Sequence, residues 1–240
     1  MLTCLVVPCY NEEKRLDQKA FLSFVGSQID TDILFVNDGS RDKTLNVLVK
    51  LSKLQPRLKV MSLEKNGGKA RAVQQGFLSL KNSDYEYIGY WDADLATPFN
   101  ALADFFKVFD ENEKVVCVIG SRVNRLGAKI RRKFIRHYLG RIFATITGFM
   151  LEIPVYDTQC GAKIFKKSVI AVFEEPFCSK WFFDVELFFR LKLLFQKETE
   201  NLIYEIPLKR WEDVRGGSIK LIDYFKVPFE LIKIYIHYKR

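Results

Sequence analysis

Histidine is almost missing from this chain of 240 residues; His137 and His237 are the only two. A histidine-rich metal centre is therefore excluded. The five cysteines (Cys4, Cys9, Cys117, Cys160 and Cys178) are odd in number and form no CxxC pair. Neither a zinc site nor a disulfide framework is signalled, and a reducing compartment is the natural setting. No uninterrupted apolar run reaches the ~18 residues that a membrane-spanning helix needs. The nearest candidate, Ile142 to Val155, is short and carries Glu152. The opening MLTCLVVPCY has no basic residues ahead of its apolar run, so it reads as a core strand and not a signal peptide. The expectation is a cytoplasmic protein without a transmembrane span, lying on the inner face of a membrane. Internal repeats and low-complexity segments are absent, and so is the GxxxxGK[ST] spacing of a P-loop. Acid is absent locally: residues 114–151 contain no Asp or Glu.

What is present is basic and ordinary in hydrophobic content, with a net charge of +9 and 48% apolar residues. Such a balance points to an anionic partner: a nucleic acid, a phosphorylated metabolite or an acidic membrane surface. No nucleic-acid-binding motif is found, so nucleic acid is not expected. The length suits one α/β domain with a short appendage. We divide it into a nucleotide half (1–122), an acceptor half (123–218) and a C-terminal amphipathic helical segment (219–240).

Strand and helix signals alternate through the first half. Short apolar runs at Leu2–Pro8, Asp32–Asn37, Leu58–Ser62, Tyr85–Trp91 and Val115–Ile119 read as buried strands. Helices are expected from Asn11-Glu12-Glu13 onward, up to Leu54 with Ser40 or Asp42 as cap, over Ala70–Leu80 and from Pro98 to Phe109. This rhythm predicts an α/β fold with a mostly parallel, doubly wound sheet, in which ligands sit beyond the carboxyl ends of the strands. The polar stretches PCYNE, NDGS, NGGK, DAD and GSR all fall there. Each one alone is ordinary turn chemistry; five on one edge predict a ligand site.

Asp92 and Asp94 lie one residue apart at a strand end, on the same side of the strand. Two carboxylates so placed repel unless a cation or proton lies between them. Hard oxygens suit Mg2+ or Mn2+, shared with the phosphates of a nucleotide; two solvated loop acids are the plainer alternative. Asp38 is placed to accept from a base N–H or to form a simple turn. Lys69 follows two glycines at a helix start, where backbone N–H groups favour phosphate. Arg122 follows Gly-Ser at a strand end, within reach of a phosphate.

The set PCYNEE, VNDGSRDKT, NGGKARAVQQGF, DADLATP, GSR, DTQCGAKIF and WFFDVELFFR resembles the family 2 glycosyltransferases of GT-A fold. Within them it is most similar to the polyprenyl-phosphate branch, of the dolichyl-phosphate β-glucosyltransferase kind. The resemblance spans about residues 3 to 222. It implies a Rossmann-like central sheet with helices on both faces and an inverting, metal-dependent transfer. Glucose would pass from UDP-glucose to a polyprenyl (dolichyl or undecaprenyl) phosphate. It also implies that Pro8, Tyr10, Glu12 and Asp38 hold the nucleobase and ribose, that Lys69 and Asp92 lie by the sugar nucleotide, that Asp94 is the principal metal ligand, and that Arg122 holds phosphate. Mannosyl-type relatives carry Gln where this chain has Ala96, which leaves the metal one protein ligand short. The N-terminal anchor and C-terminal spans of some relatives are not expected here.

The acceptor side is read from charge and periodicity. Residues 129–143 interleave Arg and Lys with apolar residues, as a basic amphipathic helix for an anionic interface does. Arg131, Arg132, Arg136 and Gln159 are its candidates for acceptor phosphate or membrane contact. Ile219–Arg240 fits the same pattern less well and is broken at Pro228. A phosphate acceptor needs positioning more than a strong base. A saccharide or protein hydroxyl acceptor, the alternative, needs a base, for which Asp184 and Asp157 are the candidates. A non-catalytic module for anionic lipid or nucleic acid remains the third reading. It would not need the acidic pair.

Overall fold

The computed structural model describes residues 1–27, 30–131, 134–214 and 227–239, with backbone only at 134–139. In chain order the strands are β1 (Thr3–Cys9), β2 (Thr31–Asp38), β3 (Leu58–Leu63), β4 (Tyr87–Trp91), β5 (Cys117–Ser121), β6 (Lys129–Arg131), β7 (Ala162–Lys166), β8 (Ile203–Pro207) and β9 (Arg210–Glu212). The α-helices are α1 (Gln18–Gly26), α2 (Thr44–Leu54), α3 (Lys69–Ser79), α4 (Leu102–Glu111), α5 (Phe134–Leu151), α6 (Phe183–Phe195), the single turn α7 (Thr199–Leu202), and α8 (Val227–Tyr238). Seven strands form one sheet in the order β3-β2-β1-β4-β7-β5-β8. All run parallel except β7, which lies antiparallel between β4 and β5. Strands from residues 1–122 and from residues 123–218 thus share this sheet. Strands β6 and β9 pair separately.

The continuous apolar run of β1 has a simple cause: both faces are covered. Cys4 and Val6 point into one core with α3, α6 and α8, and Leu5 and Val7 into the other with α1, α2 and α4. Helix α8 buries Leu231 and Ile234 in the first core, each worth about 1.5–3 kcal/mol of burial.

Four sequence expectations are corrected. The acids of Asn11-Glu12-Glu13 do not open a helix. Asn11 adopts a left-handed φ of 54°, and α1 starts at Gln18, where the Asp17 carboxylate accepts from Ala20 N at 3.0 Å. Asp42, and not Ser40, serves the α2 start, accepting from Thr44 N at 3.0 Å; Ser40 Oγ instead accepts from Asn11 N at 3.1 Å. The basic segment 129–143 is not one helix: Lys129–Arg131 is a strand, and α5 begins at Phe134. Its alternation of charge with Ile130 fits a strand as well as a helix, and pairing with Trp211 decides the matter. Pro228 does not break the C-terminal helix but sits in its first turn, where a missing N–H costs nothing. Residues 215–226, which include the start of the expected C-terminal segment, lie outside the described residues.

Candidate active site

The carboxyl ends of β1, β2, β4 and β5 open on one edge, and antiparallel β7 brings its amino end, Asp157–Gly161, to the same place. The first two loops there are fastened to each other. Glu12 N donates to Thr44 Oγ1 at 2.7 Å, Glu13 N to Asp42 Oδ2 at 3.2 Å, and Arg41 N to Asn11 Oδ1 at 2.9 Å. Pro8 lies in β1 and Tyr10, just past its end, is exposed. Glu12 is buried; its Oε1 accepts from Arg15, and its Oε2 has no partner among the described residues. Burial raises the Glu12 carboxyl above its usual range, Arg15 opposes this, and the negative Asp94 and Asp42 add to it. Arg15, absent from the candidates the sequence offered, also acts to lower Asp94.

Asp38 is 3% exposed, and its carboxylate is spent on its own chain. It accepts from Asn66 Nδ2 at 2.9 Å, Gly67 N at 2.9 Å and Gly68 N at 2.8 Å. It therefore shapes the NGGK loop that starts α3 and delivers Lys69. The DGS turn requires glycine: Gly39 has φ of +60°, and a Cβ there would stand 2.6 Å from Asn66 N.

Lys69 Nζ lies 2.5 Å from Asp92 Oδ1, and the charges of Asp92 and Asp184 raise it against the lowering effect of burial. Asp92 is pinned by backbone: its N–H donates to Gly161 O at 2.9 Å. A Cβ on Gly161 would meet Asp92 Oδ2 at 1.8 Å, so only glycine leaves room for this carboxylate. Asp94, half-buried, is raised first by burial and next by Asp92. The tail of the motif has its own work. Leu95 is left-handed at φ 52°, a conformation that costs roughly 1–2 kcal/mol in a residue with a side chain. Trp91 Nε1 to Thr97 O (2.7 Å) and Glu212 N to Ala96 O (3.1 Å) hold it there.

The two acids weighed as bases are both sunk in ion pairs. Asp157 accepts from Arg122 Nε at 2.6 Å and Nη2 at 2.8 Å, and from Arg122 N at 3.1 Å. Burial would lower the Arg122 guanidinium, but Asp157 outweighs it and raises it; Trp211 stacks 5.4 Å away. Asp184 is 4% exposed and takes Lys163 Nζ at 2.6 Å and the Tyr90 hydroxyl on the same oxygen. Lys163, with no exposed surface, was missed; a lysine inside the apolar strand Ala162–Lys166 was the available signal. A line of alternating charge, Lys163, Asp184, Lys69, Asp92, runs from core to edge.

A small pocket of about 30 Å3, room for two water-sized groups, lies beside Arg122 and mixes charged with apolar walls. It is lined by Arg141, Tyr156, Thr158 and Gln159 among others. Arg141 lies over Tyr156 at 4.4 Å, and Thr158 Oγ1 is buried without a hydrogen-bond partner among the described residues. Of the expected acceptor contacts, Gln159 is here. Arg131 is exposed in β6, 3.5 Å from Glu212. Arg132 and the side chain of Arg136 lie outside the described residues. Trp181, more often a core residue, is 60% exposed. All five cysteines are free, and burial pushes Cys4 and Cys160 up to about 12. Among the described residues no three Asp, Glu, His or Cys side chains converge as a metal cage, and no helix is long and apolar enough to cross a membrane.

The fold matches that of glucosyl-3-phosphoglycerate synthase from Mycobacterium tuberculosis in complex with Mn2+, UDP-glucose and phosphoglyceric acid. The TM-score is 0.70, at 14% identity, over 98% of this chain and 78% of that one. The match shows the fold, a GT-A sheet; the class, a glycosyltransferase, is set by the family model and the curated relatives. The family-model description "Glycosyl transferase family 2" matches residues 4–173, and the chain belongs to that family. Dolichyl-phosphate beta-glucosyltransferase of Trichomonas vaginalis is 30% identical over 250 residues, covering 99% of this chain and 72% of that protein. The Saccharomyces cerevisiae enzyme of the same name is 31% identical (98% and 74%), and the Homo sapiens one 31% (90% and 68%).

Proposed function

We propose that this enzyme transfers glucose from UDP-glucose to a polyprenyl phosphate with inversion, at the cytoplasmic face of a membrane. The names of its relatives favour this, but the observation that carries it is internal. Both acids suited to deprotonating a hydroxyl, Asp157 and Asp184, are committed to buried cations. An acceptor that arrives already ionised needs no base; a phosphate monoester does so near neutral pH, and a sugar or protein hydroxyl does not.

Each residue then has a task. Pro8, Tyr10 and the unpartnered Glu12 Oε2 face base and ribose, while Asp38 holds the loop that presents Lys69. The residues present fit a divalent ion: the mutual repulsion of Asp92 and Asp94 and the raised Asp94 carboxyl are what a bound cation relieves. Asp92 and Asp94 would hold Mg2+ or Mn2+, with nucleotide oxygens completing the shell, and the ion would supply charge neutralisation to the departing diphosphate. Lys69 adds positive charge beside it. On the acceptor side Arg122, Arg141, Thr158 and Gln159 orient the phosphate. One of its oxygens bonds to the anomeric carbon as the carbon–oxygen bond to UDP breaks, and the electron pair leaves on UDP. Positioning and charge complementarity do the work.

The test is incubation with radiolabelled UDP-glucose, Mg2+ or Mn2+ and polyprenyl phosphate, followed by organic extraction. Label should enter the organic phase only with donor, metal and lipid together. Label that stays in water under every metal contradicts the reading.

A further inference from the structure

Glu205 lies in β8 and carries a half-buried carboxylate that has no ion pair among the described residues. Its two oxygens are given instead to one stretch of backbone. Oε2 accepts from Tyr156 N and Oε1 from Asp157 N, both at 2.7 Å. Burial raises this carboxyl above the usual carboxylate range, the two backbone donors oppose that, and the charge of Asp157 adds to it. A carboxylate offers two acceptor oxygens and no donor, and hydrogen bonds to an ionised acceptor are roughly twice as strong as neutral ones. A glutamine of the same length would turn a donor toward one of the two N–H groups.

The segment held in this way joins α5 to β7. Glu152, left-handed at φ 54°, reverses the chain after the helix. A Cβ on Gly148 would stand 3.8 Å from Ile153 O and Val155 O, so the chain runs back along α5. It meets β8 at Tyr156 and Asp157 and enters β7 at Ala162, on the other side of β5. In between it crosses the carboxyl end of β5, where Arg122 stands. The two gripped residues each support one cation of the pocket there. The Tyr156 ring lies 4.4 Å from the Arg141 guanidinium, and the Asp157 carboxylate takes Arg122 at 2.6 and 2.8 Å. Two guanidiniums facing one small pocket repel each other, so each needs a support of its own. Glu205 does not line the pocket itself.

We infer that Glu205 is a positioning residue for the acceptor: its carboxylate fixes two successive backbone N–H groups, and through Tyr156 and Asp157 aims Arg141 and Arg122 at one anion. This rests on the acceptor reading above. The residue makes no contact with substrate and moves no proton; it holds the loop from behind.

The experiment measures transfer from UDP-glucose with Mg2+ to a polyprenyl phosphate, in wild type and in Glu205→Gln. The KM for the lipid phosphate should rise by roughly tenfold or more. The Kd of UDP with Mg2+, measured by calorimetry, should stay as in wild type, and kcat should change less than KM. Glu205→Asp, which keeps both acceptor oxygens, should recover part of the loss. In an Arg141→Met background the same Glu205→Gln change should raise KM by a smaller factor, because one of the two side chains it aims is already gone. Tyr156→Leu tests the route with the carboxylate in place: lipid KM should rise and the Kd of UDP should not. An unchanged KM in Glu205→Gln or in Tyr156→Leu overturns the proposal. So does a Glu205→Gln loss that falls equally on UDP binding and lipid KM, which would make the residue a staple of the fold alone. Equal factors in the wild-type and Arg141→Met backgrounds overturn it as well. A wild type that glucosylates no lipid phosphate overturns the acceptor reading and takes this proposal with it; transfer that Glu205→Gln leaves untouched overturns the positioning role alone.

Discussion

At the end of β4 two carboxylates stand half-buried, one residue apart, with Lys69 paired to Asp92 and Arg15 acting on Asp94 without an ion pair between them among the described residues. Across the edge two other carboxylates, Asp157 and Asp184, are buried, each with a cation of its own. The first pair is under-compensated, the second fully compensated. Charge left unbalanced in a folded chain is stabilised by something that arrives later; charge balanced within the chain sets shape. On the proposed function the donor side would thus receive a cation and a diphosphate, and the acceptor side would hold still and receive a partner that brings its own negative charge.

Breaking the compensated side should cost the most stability. Lys163→Met leaves Asp184 buried and unpaired beneath Lys69, and should destabilise the fold by about 3–5 kcal/mol. Urea unfolding should show a lowered midpoint with an unchanged slope. If the cost is small, Asp184 is not held by Lys163 and regains its candidacy as a base.

Asp94→Asn breaks the other side in the opposite sense. Transfer should fall by roughly 10²–10³-fold, yet the metal-free protein should melt higher at neutral pH. The sign follows from the raised Asp94 carboxyl. A raised acid favours the fold below the ordinary carboxylate range, and that advantage is lost as pH rises through the folded-state value, so the ionised form burdens the empty site above it. Binding of Mg2+ to the metal-free protein should likewise weaken on acidification from a higher pH than an unperturbed aspartate gives. An Asp94→Asn protein that melts lower would mean that Asp94 is compensated after all.

Gly161→Ala sharpens the link between the two sides, because β7 on the acceptor side leaves room for Asp92 on the donor side. The added methyl should cost about 1–3 kcal/mol through crowding and should weaken metal-dependent UDP binding, measured by titration with and without Mg2+. The smallest effect is expected at Arg131→Gln. Its exposed partner Glu212 lies 3.5 Å away, and such pairs are worth about 0–1 kcal/mol; melting and transfer should both stay as in wild type.

The contrast also explains what was legible. The donor side is a row of short loops after parallel strands, and each loop announces itself through glycine, asparagine and acid placed close together. NDGS, NGGK and DAD could be placed on one edge from the sequence. The acceptor side comes from contacts at a distance. Arg122 meets Asp157 across 35 residues and Lys163 meets Asp184 across 21, and local periodicity carries no sign of such pairings. Strand β6 was read as helix for the same reason: three residues are strand only because Arg210–Glu212 lies beside them. Asp38 shows the limit within the legible part. Its position was evident, but the asparagine and two glycine donors that occupy it were not.

The central claim, that the acceptor brings the negative charge and the enzyme supplies no base, is tested most directly by offering two acceptors of equal chain length, a polyprenyl phosphate and the corresponding polyprenol, with UDP-glucose and Mg2+. The phosphate should be glucosylated and the alcohol left untouched at every pH at which the protein is folded. Transfer to the alcohol at a comparable kcat/KM would contradict the account and require a base that the ion pairs of Asp157 and Asp184 leave unnamed.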